Sequence, residues 1–222
     1  MNLNADLGEG IKNEPAIFPF IDSCSIACGG HYGDQYSILE SMNLAKKFKV
    51  KLGAHPSYPD QKNFGRISIR LNKKEFQDSI QKQMELYFSC LEKKQLSNYH
   101  IKAHGALYHD LSKNDELCEW YLEVIENYPF EFLYLFPDSA LEKTCIQYSI
   151  PYLKEGFLDR NYLEDGSLIP RTEKNSLIQN PEEIIQQIKK FEEDKIFQTY
   201  CLHGDHPKVL EFLQKIKDIY PK

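Results

Sequence analysis

Seven short apolar runs alternate with helical patterns along this chain, and five of the runs break off at an ionisable residue close to a glycine. Asp6 follows Asn2–Ala5, His31 follows Ser25–Cys28, and His55 follows Val50–Ala54. His104 closes the run that starts at Tyr99, and His203 follows Phe197–Leu202. Such a pattern describes strands that deliver polar side chains to their carboxyl ends, where loops take over. The strand candidates are Asn2–Asp6, Ser23–Cys28, Val50–Ala54, Tyr99–Ala103, Phe132–Phe136, Tyr152–Gly156 and Phe197–His203. Strands alternating with helices imply a parallel α/β sheet, open or closed into a barrel, whose ligands bind at the strand carboxyl ends.

Helical spacing fills the intervals. Ile38, Met42 and Ala45 share a face over Asp34–Phe48, with Asp34 as the N-cap. Asn72 and Glu75 form a capping box ahead of Phe76, Ile80, Met84 and Tyr87. Helices follow near Asp115–Asn127, after Asn180-Pro181-Glu182-Glu183, and over roughly Pro207–Ile219. No repeat or linker divides the 222 residues, so one domain over 1–222 is expected. The longest irregular piece, Leu158–Asn180, is a candidate lid or site loop.

Composition closes off several function classes. A net charge of −6 leaves no electrostatic footprint for nucleic acid, and no basic amphipathic helix suggests a membrane surface. The polar N-terminus is no signal peptide, and the most apolar window, Phe130–Phe136, is too short to span a bilayer. A cytoplasmic location is therefore expected, with the six cysteines reduced. Cys90, Cys118 and Cys145 fall on apolar helical faces, while Cys24-x3-Cys28-x2-His31 resembles a metal clip only loosely, lacking a second cysteine pair.

The strand ends carry the chemistry. Asn4 and Asp6 share a face and lead to Glu9; the alternative is that Asp6 merely caps the turn through Gly8. His31 and His55 lie in glycine- and proline-rich turns, with Arg66 beyond. Lys102 and His104 also share a face, suited to anchoring a carboxylate and moving a proton. His100 reads as a core residue, His109 as solvated, and Asp205 as a second helix cap. Glu155, Asp159, Arg160 and Arg171 follow the sixth run; a surface ion pair is the alternative for Asp159 and Arg160. There is no phosphate-binding glycine loop, no dinucleotide fingerprint and no serine elbow.

At these same residues the chain resembles the LamB/YcsF family. The matching pieces are Asn2-Leu-Asn-Ala-Asp-Leu-Gly-Glu9, Ile26–Asp34, Gly53–Asp60 with Phe64-Gly-Arg66, His104–Tyr108, Glu155–Arg160 with Tyr162, Asp165-Gly166 and Arg171, and Cys201–Asp205. They run in family order over essentially the whole chain. Departures are Ala103 where the family usually has Pro, Gly30 for Phe, Ile67 for a second Arg, and a shorter Phe191–Gln198. The resemblance implies a seven-stranded parallel β/α barrel similar to the glycoside hydrolase/deacetylase superfamily. It also implies an A-subunit role in ATP-dependent hydrolysis of 5-oxoproline (pyroglutamate) to L-glutamate, with B and C subunits as partners. ATP would be used by that complex rather than bound by a motif in this chain.

The two readings together make Asp6, His31, His55, His104, Asp159 and His203 catalytic candidates. Asn4, Arg66, Lys102, Glu155, Arg160 and Arg171 become candidates for holding a small acidic lactam. No base is singled out and no metal ligands are assigned. A metal-dependent amidase or deacetylase acting on a small or carbohydrate substrate is the alternative enzyme. A non-catalytic module that captures a small acid is the third reading.

Overall fold

The computed structural model describes residues 1–221. Seven parallel strands form a closed barrel in chain order: β1 (Leu3–Leu7), β2 (Ser23–Ala27), β3 (Lys51–His55), β4 (His100–Ile101), β5 (Phe132–Leu135), β6 (Tyr152–Phe157) and β7 (Thr199–Cys201). Closure comes from β7 lying beside β1, with Leu3 opposite Tyr200 and Asn4 opposite Cys201. The helices are α1 (Glu14–Ile17), α2 (Gln35–Phe48), α3 (Lys73–Lys94), α4 (Gly105–Leu111), α5 (Asp115–Ile125), α6 (Ala140–Tyr148), α7 (Pro181–Asp194) and α8 (Val209–Ile219). The expected barrel is thus the observed one, and all seven expected strands are present.

Helix starts follow their capping chemistry. Asp34 accepts from the Ser37 amide ahead of α2, and Asn72 and Glu75 complete the expected capping box of α3. Asn180 caps α7 by accepting from Glu182. The last helix differs from expectation: it begins at Val209, and Asp205 does not cap it. Strands β4 and β7 are shorter than their apolar runs, because the chain turns into site loops once the polar strand-end residues are reached.

Two chemically different cores result from the alternation of strand side chains. On the outside, Leu3, Ala5, Leu7, Ile26, Leu52 and Ile101 are buried with the apolar faces of α2 and α3, among them Met42, Phe76 and Tyr87. Each such large side chain contributes about 1.5–3 kcal/mol on burial. The inside of the barrel is polar. Asn4 Nδ2 donates to Thr199 Oγ1 at 2.8 Å, Ser23 Oγ meets Tyr134 Oη at 3.1 Å, and Ser25 Oγ meets His100 Nε2 at 2.9 Å. Strands β2 and β5 are not neighbours in the barrel, so the Ser23–Tyr134 contact crosses its interior.

Space for this polar filling is made by a glycine. The His100 ring stacks on Tyr134 with centroids 3.9 Å apart, and a Cβ on Gly53 would lie 2.2 Å from His100 Nε2. Gly53→Ala is therefore expected to destabilise the fold by about 1–3 kcal/mol, read as a lower urea midpoint at unchanged slope. An unshifted midpoint would show that the interior can repack around a methyl group.

Candidate active site

Above these layers the strand ends converge on Lys102, just past β4. Its ammonium lies 2.8 Å from Asp6 Oδ1 of β1 and 3.3 Å from Cys201 Sγ of β7. It is also 2.9 Å from Glu155 Oε1 of β6, an ion pair off the line of a hydrogen bond. Burial works against charge here. Even so, His55 and Lys102 outweigh it and hold Asp6 well below the usual carboxylate range. Asp6, with Glu155, in turn keeps Lys102 protonated. Burial pushes the Cys201 thiol well above its ordinary range, so it is a neutral neighbour rather than a thiolate.

Beside this group sit three imidazoles and a carboxyl. His55 Nδ1 is 2.8 Å from the Lys102 carbonyl, and His104 Nε2 is 2.9 Å from the Phe64 carbonyl. The other two ring nitrogens, His55 Nε2 and His104 Nδ1, face each other at 3.0 Å. The His31 ring stacks on His104 with centroids 3.6 Å apart, and its Nε2 is 3.0 Å from Glu9 Oε1. Burial lowers the pKa of both His31 and His104 well below the usual imidazole range. Burial, with Asp6 nearby, raises Glu9. Phe64 holds its carbonyl on His104 from a left-handed backbone, φ 56°, uncommon for a residue with a side chain. The turn that carries Glu9 is fixed by Glu14 of α1, whose carboxylate accepts from the amides of Gly8, Glu9 and Ile11 at 2.8–3.2 Å.

A third unit lies across the opening. His203 Nδ1 is 2.9 Å from Asp159 Oδ1, and the His203 amide donates to the same carboxylate. The His203 ring lies against Phe157 at 5.3 Å. A carboxylate cannot donate when ionised, so Nδ1 carries the hydrogen and Nε2 is left as the basic nitrogen. Asp159 is held below its ordinary range because His203 outweighs the cost of burial.

These units border a cavity of 410 Å³ lined by Asp6, His55, Lys102, His104 and His203, with Tyr108, Phe157 and Leu168 as apolar walls. Arg66, Arg160 and Arg171 line it too. Arg66 and Arg171 both pair with Asp205, Arg171 at 3.1 Å. Arg160 is buried and donates from Nε to the Ser176 carbonyl at 3.2 Å and from Nη2 to that of Ile169. It thereby ties down the Leu158–Asn180 segment, which supplies Leu168, Pro170, Arg171 and Thr172 to the cavity.

Most expected site residues meet here, with corrections. Asn4 lies a layer deeper on Thr199 and Glu155 lies behind Lys102, so neither reaches the cavity. His31 and Asp159 are fully buried behind His104 and His203, which they contact, and do not line the cavity. Lys102 borders the cavity, but its ammonium is already held by hydrogen bonds to Asp6 and Cys201 and by the ion pair with Glu155. Asp6 pairs across the barrel instead of capping its turn, Asp159 pairs with His203 and not on the surface with Arg160, and Asp205 holds two arginines. His109 is exposed, as expected, and borders the same cavity. All six cysteines are free, and Cys24 and Cys28 do not join His31 in a ligand cluster among the described residues. Glu9 and Glu14 are the site residues without a role in the sequence-based expectation. An acidic residue just past a strand-end Asp-x-Gly is the local signal for Glu9, whereas Glu14 has none.

A family model described as LamB/YcsF family matches residues 1–221. The chain belongs to the LamB/YcsF family. It is 36% identical to the A subunit of a 5-oxoprolinase from Bacillus cytotoxicus, over 97% of this chain and 93% of that protein. It is 33% identical to the protein of the same name from Bacillus cereus, over the same shares. The crystal structure of a lactam utilization protein from Thermus thermophilus superposes with a TM-score of 0.88 at 28% identity, covering 99% of this chain and 96% of that one. A putative cellobiose-phosphate cleavage protein from Enterococcus faecalis, at 13% identity and a TM-score of 0.59, shares the fold alone; the match covers 98% of this chain and 93% of that one. Among the described residues no helix is long and apolar enough to cross a membrane.

Two expectations follow from the site's charges. Lys102→Met leaves Asp6 and Glu155 buried without their cation, so it should cost roughly 3–5 kcal/mol of stability, measured by urea unfolding. Loss of substrate affinity at unchanged stability would contradict the geometry. Asp205 is the second case: burial disfavours its charge, but Arg171, His203 and Arg66 prevail and hold it down to about 2. Its folded pKa is below the unfolded value of about 3.9. The stability it contributes is complete above that value and is lost as pH falls towards about 2. Thermal melts of Asp205→Asn should therefore differ from the parent above about pH 4 and converge with it near pH 2.

Proposed function

We propose that this chain is the ring-opening A subunit of an ATP-dependent 5-oxoprolinase, acting on 5-oxoproline in the cytoplasm together with B and C subunits. The observation that carries the reading is the cavity itself. Three arginines border a small, partly apolar space, two of them paired with Asp205, and a carboxylate-oriented histidine faces the same space. That arrangement suits a compact substrate with a negative charge at one end and an amide at the other. The names of the Bacillus relatives and of the Thermus protein point to the same chemistry.

Opening a lactam with water requires one proton to leave the water and one to reach the ring nitrogen. His203 is placed for both transfers: Asp159 fixes its Nδ1 hydrogen, leaving Nε2 to take the proton from water and hand it to the departing nitrogen. Asp6, kept ionised by its neighbours, lies on the cavity floor where it accepts a hydrogen bond from the attacking water. A five-membered lactam has little strain to release, so the carbonyl needs activation. Partner subunits that spend ATP to phosphorylate the lactam oxygen would supply it, and the arginines would meet the added charge. Opening of that ring leaves an acyl phosphate, from which a second water releases inorganic phosphate to give glutamate. Tyr32, Ile67 and Leu163 are exposed on loops after β2, β3 and β6, a partly apolar rim against which partners can dock.

The test is purified chain with 5-oxoproline and ATP, with and without its B and C subunits. Glutamate release is expected only in the complete mixture. There, His203→Ala should lower kcat by about 100-fold or more, and Arg171→Ala should mainly raise KM. Steady glutamate release by the chain alone without ATP would overturn this reading in favour of an autonomous amidase.

A further inference from the structure

The cluster of Glu9, His31, His55 and His104 has no part in the proton transfers above, and its geometry poses a separate question. Carbonyl oxygens only accept hydrogen bonds. His55 Nδ1 must therefore carry the hydrogen it gives to the Lys102 carbonyl, and His104 Nε2 the one it gives to Phe64. In neutral rings this leaves His55 Nε2 and His104 Nδ1 as bare lone pairs, and these are the two atoms that face each other at 3.0 Å. Two lone pairs at that distance repel unless a proton or a cation lies against both.

A shared proton would satisfy those two atoms, with Asp6 Oδ2 3.5 Å from His55 Nε2 as a further counter-charge. Four donor atoms converge, however. Glu9 Oε1 lies 3.0 Å from His31 Nε2, 3.4 Å from His104 Nδ1 and 3.9 Å from His55 Nε2. Metal–ligand bonds of about 2.0–2.1 Å in a tetrahedron place neighbouring donors about 3.3 Å apart. The four separations, 3.0, 3.0, 3.4 and 3.9 Å, straddle that value. Backbone carbonyls on the distal nitrogens of His55 and His104 are also the support that metal-binding histidines use to fix their tautomers.

We propose that Glu9, His31, His55 and His104 bind one divalent transition-metal cation beneath the cavity floor, with zinc as the reference case. Imidazole-rich donors favour zinc and its neighbours over magnesium or calcium. The ion reaches its site through the cavity, which His55 and His104 border. A second group of potential donors, Asp6, Cys201 and His203, is a poorer site, because the Lys102 ammonium already contacts Asp6 and Cys201. The proposal goes beyond the reaction assigned above and holds whichever lactam the cavity accepts.

The experiment uses the full chain without an affinity tag, stripped with chelator and titrated with Co(II). The intense visible absorption of four-coordinate Co(II) is expected to saturate at one equivalent and to be displaced by Zn(II). Glu9→Gln and His31→Asn should each weaken Co(II) binding by at least the roughly 10–100-fold that loss of even an outer partner costs. Cys201→Ser should leave it unchanged. X-ray absorption of the parent protein loaded with Zn(II) should show a first shell of nitrogen and oxygen without sulfur, which decides the matter even if the variants unfold. A folded parent chain that gives no saturable Co(II) spectrum would overturn the proposal. So would a sulfur ligand, or binding that survives both substitutions. Glutamate production is read in none of these arms, so this proposal and the assigned reaction fail separately.

Discussion

One buried ammonium group orders the carboxyl end of the barrel. Lys102, projecting just after β4, is shared among Asp6 of β1, Glu155 of β6 and Cys201 of β7. An unpaired charge in that position would cost several kcal/mol, so the carboxylates are needed once the lysine is there. The converse also holds: two buried carboxylates need a cation. The pairing links β4 to β1, β6 and β7, none of which it touches through its backbone. Geometry of the cavity floor therefore depends on charge balance more than on packing.

The polar interior explains why the hydrophobic core lies outside the barrel. Serine, asparagine, threonine, tyrosine and histidine side chains fill the lower layers and hydrogen-bond one another within the lumen. Such a network is rigid where it is fully bonded. Stability must then come from the ring of helices, whose apolar faces are the longest regular patterns in the chain. Division of labour follows: helices hold the barrel closed, and the lumen is free to be specialised for chemistry.

Much of this is legible in the sequence, and the illegible part has a physical cause. Strand ends at Asp6, His55, His104 and His203 stand out because an ionisable residue after an apolar run is a local signal. The caps at Asp34 and Asn72 are local too, and both helices start there. What local pattern does not convey is partnership. Lys102 looks available for a substrate because two of its partners, Asp6 and Cys201, lie 96 and 99 residues away along the chain. Asp205 looks like a cap for the same reason, its partner Arg66 being 139 residues distant. The significance of Glu9 emerges only when three histidines from three other segments arrive around it.

Closure of β7 on β1 bears on how the protein comes into being. The Asn4 amide meets Thr199 across 195 residues of sequence, and the Leu202 amide bonds to the Asn4 carbonyl. Contacts of such long range are slow to form, because chain entropy must be given up before they reward it. During synthesis β1 leaves the ribosome before the other six strands, and it waits for β7 through the production of everything between. Until then its Asp6 carboxylate has neither a finished lumen around it nor the full set of neighbours. The nascent barrel is open along one seam, with two strand edges exposed to any chaperone or neighbouring chain that meets it first.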